Sequence, residues 1–192
     1  YIQAAGLVMN RDQILQYYMI FGGVPYYWGF LKKGLSLSQN IDSILFEKDA
    51  PLRDEFKYLY ASVFKKPENY VKIIEALGTK KVGMTREEII TATKIPNSGD
   101  LTTKLEELES CGFIRKYNAF GMKKKNAIYQ LMDCFTLFYF KFLKSEPTDE
   151  HFWTNQINTP AVNTWLGLAF ERVCMEHVDQ IKFKLGISGV LT

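Results

Sequence analysis

Residues 84–131, MTREEIITATKIPNSGDLTTKLEELESCGFIRKYNAFGMKKKNAIYQL, decide how this chain is read. Thr85 and Glu88 stand three apart before Ile89 and Ile90, the spacing of a capping box at a helix start. Ile95-Pro96-Asn97-Ser98-Gly99 stops that helix and turns the chain. A second helix follows, with Leu101, Leu105 and Leu108 on one face and Gly112 just past its end. Residues 113–117 and 127–131 carry the aromatic and β-branched content of strands, and between them lies a tip with Lys123, Lys124 and Lys125.

Helix, turn, helix and basic hairpin, in that order, predict a winged helix, a fold whose commonest ligand is DNA. Pro67-Glu68 opens a preceding helix with Tyr70, Ile73, Ile74 and Leu77 as its buried stripe and Gly78 at its end. After the hairpin, Asp133 is placed to cap an aromatic helix over 135–143. The polar run 144–150 then reads as a linker.

Upstream, residues 1–65 read as helices. One spans 12–21, with Ile14, Leu15, Tyr18 and Met19 on a stripe, and a second spans 25–33. Residues 35–40 read as loop and 41–46 as a short helix. Asp49 then caps a longer helix with Leu52, Phe56, Leu59, Tyr60, Val63 and Phe64 on one face. Downstream, one helix is expected over 160–185, with Trp165, Leu168, Ala169, Val173 and Val178 in its core. Three segments result: 1–65, 66–145 and 146–192. The first residue is Tyr1, and 186–192 reads as a turn and the start of a strand, so the chain is expected to be a piece of a longer protein.

An apolar fraction of 47% over 192 residues is that of a folded protein. Cys111, Cys134 and Cys174 stand far apart, which fits a reducing cytoplasm and argues against a disulfide framework or a zinc site. No apolar run approaches the roughly 20 residues of a membrane span. The net charge of +3 is unevenly spread: residues 66–145 hold 14 cations and 9 carboxylates, whereas 146–192 hold 3 and 6. The middle segment is therefore the one suited to a polyanion.

Several motifs fail on chemistry. Residues 78–85 have the spacing of a phosphate loop, but Met84 stands where the phosphate-binding lysine must be. Cys174-x-x-His177 lacks a second ligand pair. Glu171 and Glu176, five apart, do not share a helix face and read by spacing as a solvated surface.

The hairpin holds five cations, Arg115, Lys116, Lys123, Lys124 and Lys125, and no acid between 112 and 132. Such charges can lie along a phosphate backbone, or they can simply keep an exposed edge soluble. The helix before it carries Asp100, Glu106, Glu107 and Glu109 against Lys104 alone, which argues against base reading in a major groove.

Taken together, Tyr17-Tyr-Met-Ile-Phe-Gly-Gly-Val-Pro-Tyr-Tyr27, Ser38–Asp42, Leu52–Phe56 and Leu59-Tyr60 resemble the lid of archaeal-type AAA ATPases that also occur in bacteria. Phe113-Ile114 and Tyr129–Asp133 resemble that family's winged helix. Trp165–Glu171 and Leu185–Ile187 resemble the opening of its restriction-endonuclease-like C-terminal domain. The resemblance implies a mostly α fold: a helical lid region (1–65), a winged helix with a small β-hairpin wing (66–145), and the start of an α/β nuclease-like domain (146–192).

It also implies a parent ATPase whose ATP and Mg lie in an upstream core, with no cofactor held by this fragment. Glu171 takes a site-like position, the acidic residue of an incomplete nuclease-like site. The expected partners are that ATPase core and double-stranded DNA held by its backbone, in the cytoplasm and not in a membrane. The alternatives are a winged-helix transcription regulator and a protein-binding adaptor.

Overall fold

A computed structural model describes residues 7–118 and 127–190. Among them the chain is mostly helical, with one three-stranded antiparallel sheet. It divides into two compact units, residues 51–146 and residues 1–50 together with 147–192.

The unit 51–146 begins with α4 (Glu55–Val63), not with a helix capped by Asp49; residues 51–54 form turns before it. Phe56 and Tyr60 on α4 are buried, whereas Val63 is exposed. Helix α5 (Glu68–Gly78) buries Tyr70, Ile73, Ile74 and Leu77, as its spacing predicts. Each fully buried aliphatic side chain there contributes about 1.5–3 kcal/mol relative to exposure.

The loop after α5 leads into β1 (Met84–Thr85), a strand too short to show periodicity in sequence. Helix α6 (Arg86–Thr93) starts on the Thr85/Glu88 capping box, with both reciprocal bonds made. Helix α7 (Gly99–Ser110) buries Leu101, Leu105 and Leu108. Strands β2 (Ile114–Tyr117) and β3 (Ile128–Leu131) complete a sheet of order β1-β3-β2.

Asp133 caps α8 (Cys134–Phe138), accepting from the Thr136 amide. The expected single helix then widens into a π-helical turn over Tyr139–Leu143, closed by the Lys144 amide on the Tyr139 carbonyl at 2.8 Å. Phe140 lies against α5 where Gly78 leaves room, since a Cβ there would stand 2.6 Å from its ring. Phe56 stacks on Tyr139 with centroids 4.0 Å apart, and the Tyr60 and Thr136 hydroxyls share a hydrogen bond of 2.8 Å. These contacts place α4 with the residues after it, in the compact unit that starts at residue 51. The second division, 146/147, lies within the polar run read as a linker.

The other unit holds α1 (Arg11–Phe21), α2 (Pro25–Trp28), α3 (Leu37–Leu45), α9 (Phe152–Gln156), α10 (Pro160–Glu176) and α11 (Val178–Leu185). Four expectations change. Helix α3 starts at residue 37 because Ser36 and Gln39 form a second capping box, in a segment expected to be loop. The helix from Pro25 ends at Trp28 and does not run to residue 33. The single helix expected over 160–185 breaks at His177, and Val178 is exposed. On α1 the buried residues are Tyr17, Met19, Ile20 and Phe21, so the buried face is turned from the expected stripe.

Asp42 joins the two chain segments of this unit. It is 1% exposed, and its carboxylate accepts from the Trp153 amide at 2.7 Å, the Thr154 amide at 3.1 Å and the Thr154 hydroxyl. The unsatisfied amides at the start of α9 are thus capped by a residue 111 positions away. Trp153 lies edge-on to Trp165 on α10, at 6.2 Å.

Candidate nucleic-acid interface

Lys94 adopts a left-handed conformation at the end of α6, φ 60°, and starts the turn to α7. Arg86 fixes that turn: its Nε donates to Asn97 Oδ1 and its Nη2 to the Ser98 carbonyl, both at 2.9 Å. Ser98 caps α7.

The charges of α7 are mostly spent within the fold. Lys104, its lone cation, is tied to Asp100 and lies 5.2 Å from the centre of the Tyr70 ring, its side chain 14% exposed. Glu107 accepts the Tyr70 hydroxyl. Burial, then the Glu107 bond, pushes the Tyr70 phenol up to about 12. Glu109 accepts the Lys116 amide at 3.2 Å, covering a backbone donor on the edge strand β2. The exposed face of α7 therefore shows Thr102, Thr103, Glu106 and Glu109, with no cation.

The strands behave differently. Side chains alternate across a sheet. Ile114 and Lys116 thus share one face with Tyr129, Leu131 and Met84, the last three being buried core residues. Lys116 is exposed at the end of that face, with Nζ 5.7 Å from the Tyr129 ring centre. Arg115, Tyr117, Ile128 and Gln130 share the other face.

On that second face, Arg115 Nε donates to Gln130 Oε1 at 2.8 Å, and the guanidinium carbon stands 4.7 Å from the Tyr117 ring centre. Gln130 is 8% exposed and donates through Nε2 to the Lys81 carbonyl at 2.6 Å. The Tyr117 hydroxyl donates to the Val82 carbonyl at 2.8 Å. The loop 79–83 is anchored to this face at both points.

Of the five cations singled out in the hairpin, Arg115 and Lys116 therefore lie on opposite faces of the sheet. Lys123, Lys124 and Lys125 fall outside the described residues. Gln130 and Tyr117 did not stand out in the sequence. The two-residue spacing of Arg115 and Tyr117 was the available signal for their contact.

Glu171 is exposed on α10. Glu176, a turn further on, accepts the Tyr18 hydroxyl at 3.4 Å. His177 closes α10, with Nδ1 2.9 Å from the Val173 carbonyl. Among the described residues no group of three or more His, Cys, Asp or Glu side chains is arranged to hold a metal ion.

A cavity of about 180 Å³ lies among residues 7–9, 13, 31–35, 37 and 40. Two of its polar side chains are engaged within the fold: Lys32 Nζ donates to Ser43 Oγ, and Asn40 Nδ2 donates to the carbonyls of Lys32, Leu35 and Ser36. No helix among the described residues is long and apolar enough to cross a membrane. No family model, no curated protein and no solved structure matches the chain.

Proposed function

We propose that residues 66–145 are a winged helix that holds duplex DNA through its phosphate backbone. We further propose that the chain is the C-terminal part of an AAA-type ATPase, in which this element couples the ATPase to DNA or to a nuclease-like domain. The observation that carries the first statement is the element order α5-β1-α6-α7-β2-β3 with sheet order β1-β3-β2 and no acidic residue on any strand. The second rests on the resemblance of the segments quoted above. On this reading ATP and Mg belong to the parent's core, Glu171 contributes one carboxylate to a site completed elsewhere, and the 192-residue chain neither hydrolyses ATP nor cuts DNA.

The inward turn of Lys104 and the acidic outer face of α7 favour backbone contact over base reading. Equilibrium binding of a mixed-sequence duplex to the chain, over a series of salt concentrations, tests this. Affinity falls linearly on a log–log plot, and changing Lys123, Lys124 and Lys125 to Ala lowers the slope by about 0.9 per lost phosphate contact. Absence of duplex binding overturns the reading. A footprint on one specific sequence favours a transcription regulator instead. Salt-insensitive binding of a protein, with no DNA affinity, favours an adaptor.

A further inference from the structure

The cations of the hairpin are not equivalent. Lys116 is an exposed side chain at the edge of the core face, and its own backbone amide is already taken by the acidic Glu109. Arg115 is built into a network. Its guanidinium is gripped at Nε by a nearly buried amide, laid against an aromatic ring, and that amide and ring are each tied to the backbone of the loop 79–83. A guanidinium presents five N–H donors in a fixed plane, and the Gln130 bond uses Nε. A pre-set planar fork matches the geometry of a phosphate, and less side-chain freedom is lost when it binds.

We propose that the face of the sheet carrying Arg115, Tyr117 and Gln130, not the exposed face of α7, is where the backbone of duplex DNA docks, with Arg115 as the phosphate-gripping residue and Gln130 as its positioning residue. This rests on the duplex-binding reading and narrows it to one surface. The three strands carry no carboxylate, and because loop 79–83 is bonded to Gln130 and Tyr117, the cations a phosphate meets on this face are the half-buried Arg115 and the exposed Lys81 of that loop. An approach through α7 would bring Glu106 and Glu109 toward phosphates instead.

Fluorescence anisotropy with a labelled mixed-sequence duplex, run on the full chain over a salt series, separates the possibilities. Arg115→Ala is expected to weaken binding roughly tenfold and to lower the salt slope by about 0.9, one phosphate contact. Lys116→Ala is expected to stay within about twofold of the parent with its slope unchanged. Gln130→Met keeps the volume and the arginine but removes the grip. It is expected to weaken binding a few-fold, with thermal stability checked in parallel.

Arg115→Lys keeps the charge and loses the planar fork. It is expected to retain the slope while losing affinity. The inference is overturned if Arg115→Ala binds as the parent does, if Lys116→Ala weakens binding as much or more, if Arg115→Lys is indistinguishable from the parent, or if Gln130→Met binds normally. In each of these outcomes the duplex-binding reading survives, provided the parent binds with a salt slope. If the parent itself does not bind duplex, both readings fail together.

Discussion

The two units are held by different chemistry. Residues 51–146 pack an aromatic and aliphatic core, and their sequence holds 17 cations and 12 carboxylates. The other unit joins two distant chain segments through one buried carboxylate, carries 7 cations and 9 carboxylates, and leaves a run of large apolar side chains on its C-terminal helices exposed. Helix α11 buries no residue, and Phe183 and Leu185 are exposed. An amphipathic pattern thus has two outcomes in one chain. In α5 it is buried against other elements, whereas in α11 it lies on the surface. Periodicity predicts a helix but not what covers it.

The largest expected effect tests the polar clamp. Asp42→Ala removes an acceptor from two amides and one hydroxyl in a buried setting, and is expected to cost about 4 kcal/mol. All three tryptophans, Trp28, Trp153 and Trp165, lie in this unit, so tryptophan fluorescence follows it selectively. The fluorescence-detected melting transition should fall while the helical signal of 51–146 persists. Coincident loss of both would mean that the clamp supports the whole chain.

Next comes the core of the other unit. Gly83 has φ +85°, and a Cβ there would crowd the Tyr129 carbonyl and stand 2.8 Å from Ile128 Cγ2. Gly83→Ala is expected to cost about 2–3 kcal/mol, seen by circular dichroism with little change in tryptophan emission. An unaltered melting curve would contradict the close packing of β1 and β3.

A smaller effect concerns Tyr70. Its folded pKa is raised above the ordinary tyrosine value of 10.0 to about 12, mainly by burial. The stabilising difference is fully present below the unfolded value and is lost as pH rises from there through the folded value. Chemical denaturation at rising alkaline pH should show stability falling through that window. Tyr70→Phe should cost about 1 kcal/mol near neutral pH and flatten that tyrosine contribution. A fall of equal size in the Phe variant would assign it to other groups.

The smallest effect lies on the exposed helix. Phe183→Ser on α11 is expected to change stability by no more than about 0.5 kcal/mol, because the side chain is 73% exposed. A larger loss would mean that something covers it in solution.

Legibility in the sequence followed the range of the interactions. Thr85 with Glu88, Asp133, and the leucines of α7 work within a few residues, and their roles could be read directly. Ser36 with Gln39 is the same kind of signal, hidden in a segment whose Gly34 and serines suggest a loop. The two-residue strand β1 carries too little pattern to be seen. The break at His177 leaves no proline or glycine to announce it.

At the candidate interface, counting charges grouped Arg115 with Lys116, although strand alternation already separates them. The inward turn of Lys104 depends on Tyr70, on a different helix. The grip on Arg115 depends on Gln130 and on a carbonyl 49 residues before it. Neither long-range contact leaves a local trace.

The most direct test of the central claim is an amide spectrum of the full chain, recorded with and without a mixed-sequence duplex. Perturbation and slowed exchange are expected at residues 79–83, 114–117 and 128–131, with the exposed amides of α7 and the unit containing Asp42 unchanged. Perturbation centred on Thr102, Thr103 and Glu106, with the strands silent, would place the duplex on the helix and contradict it.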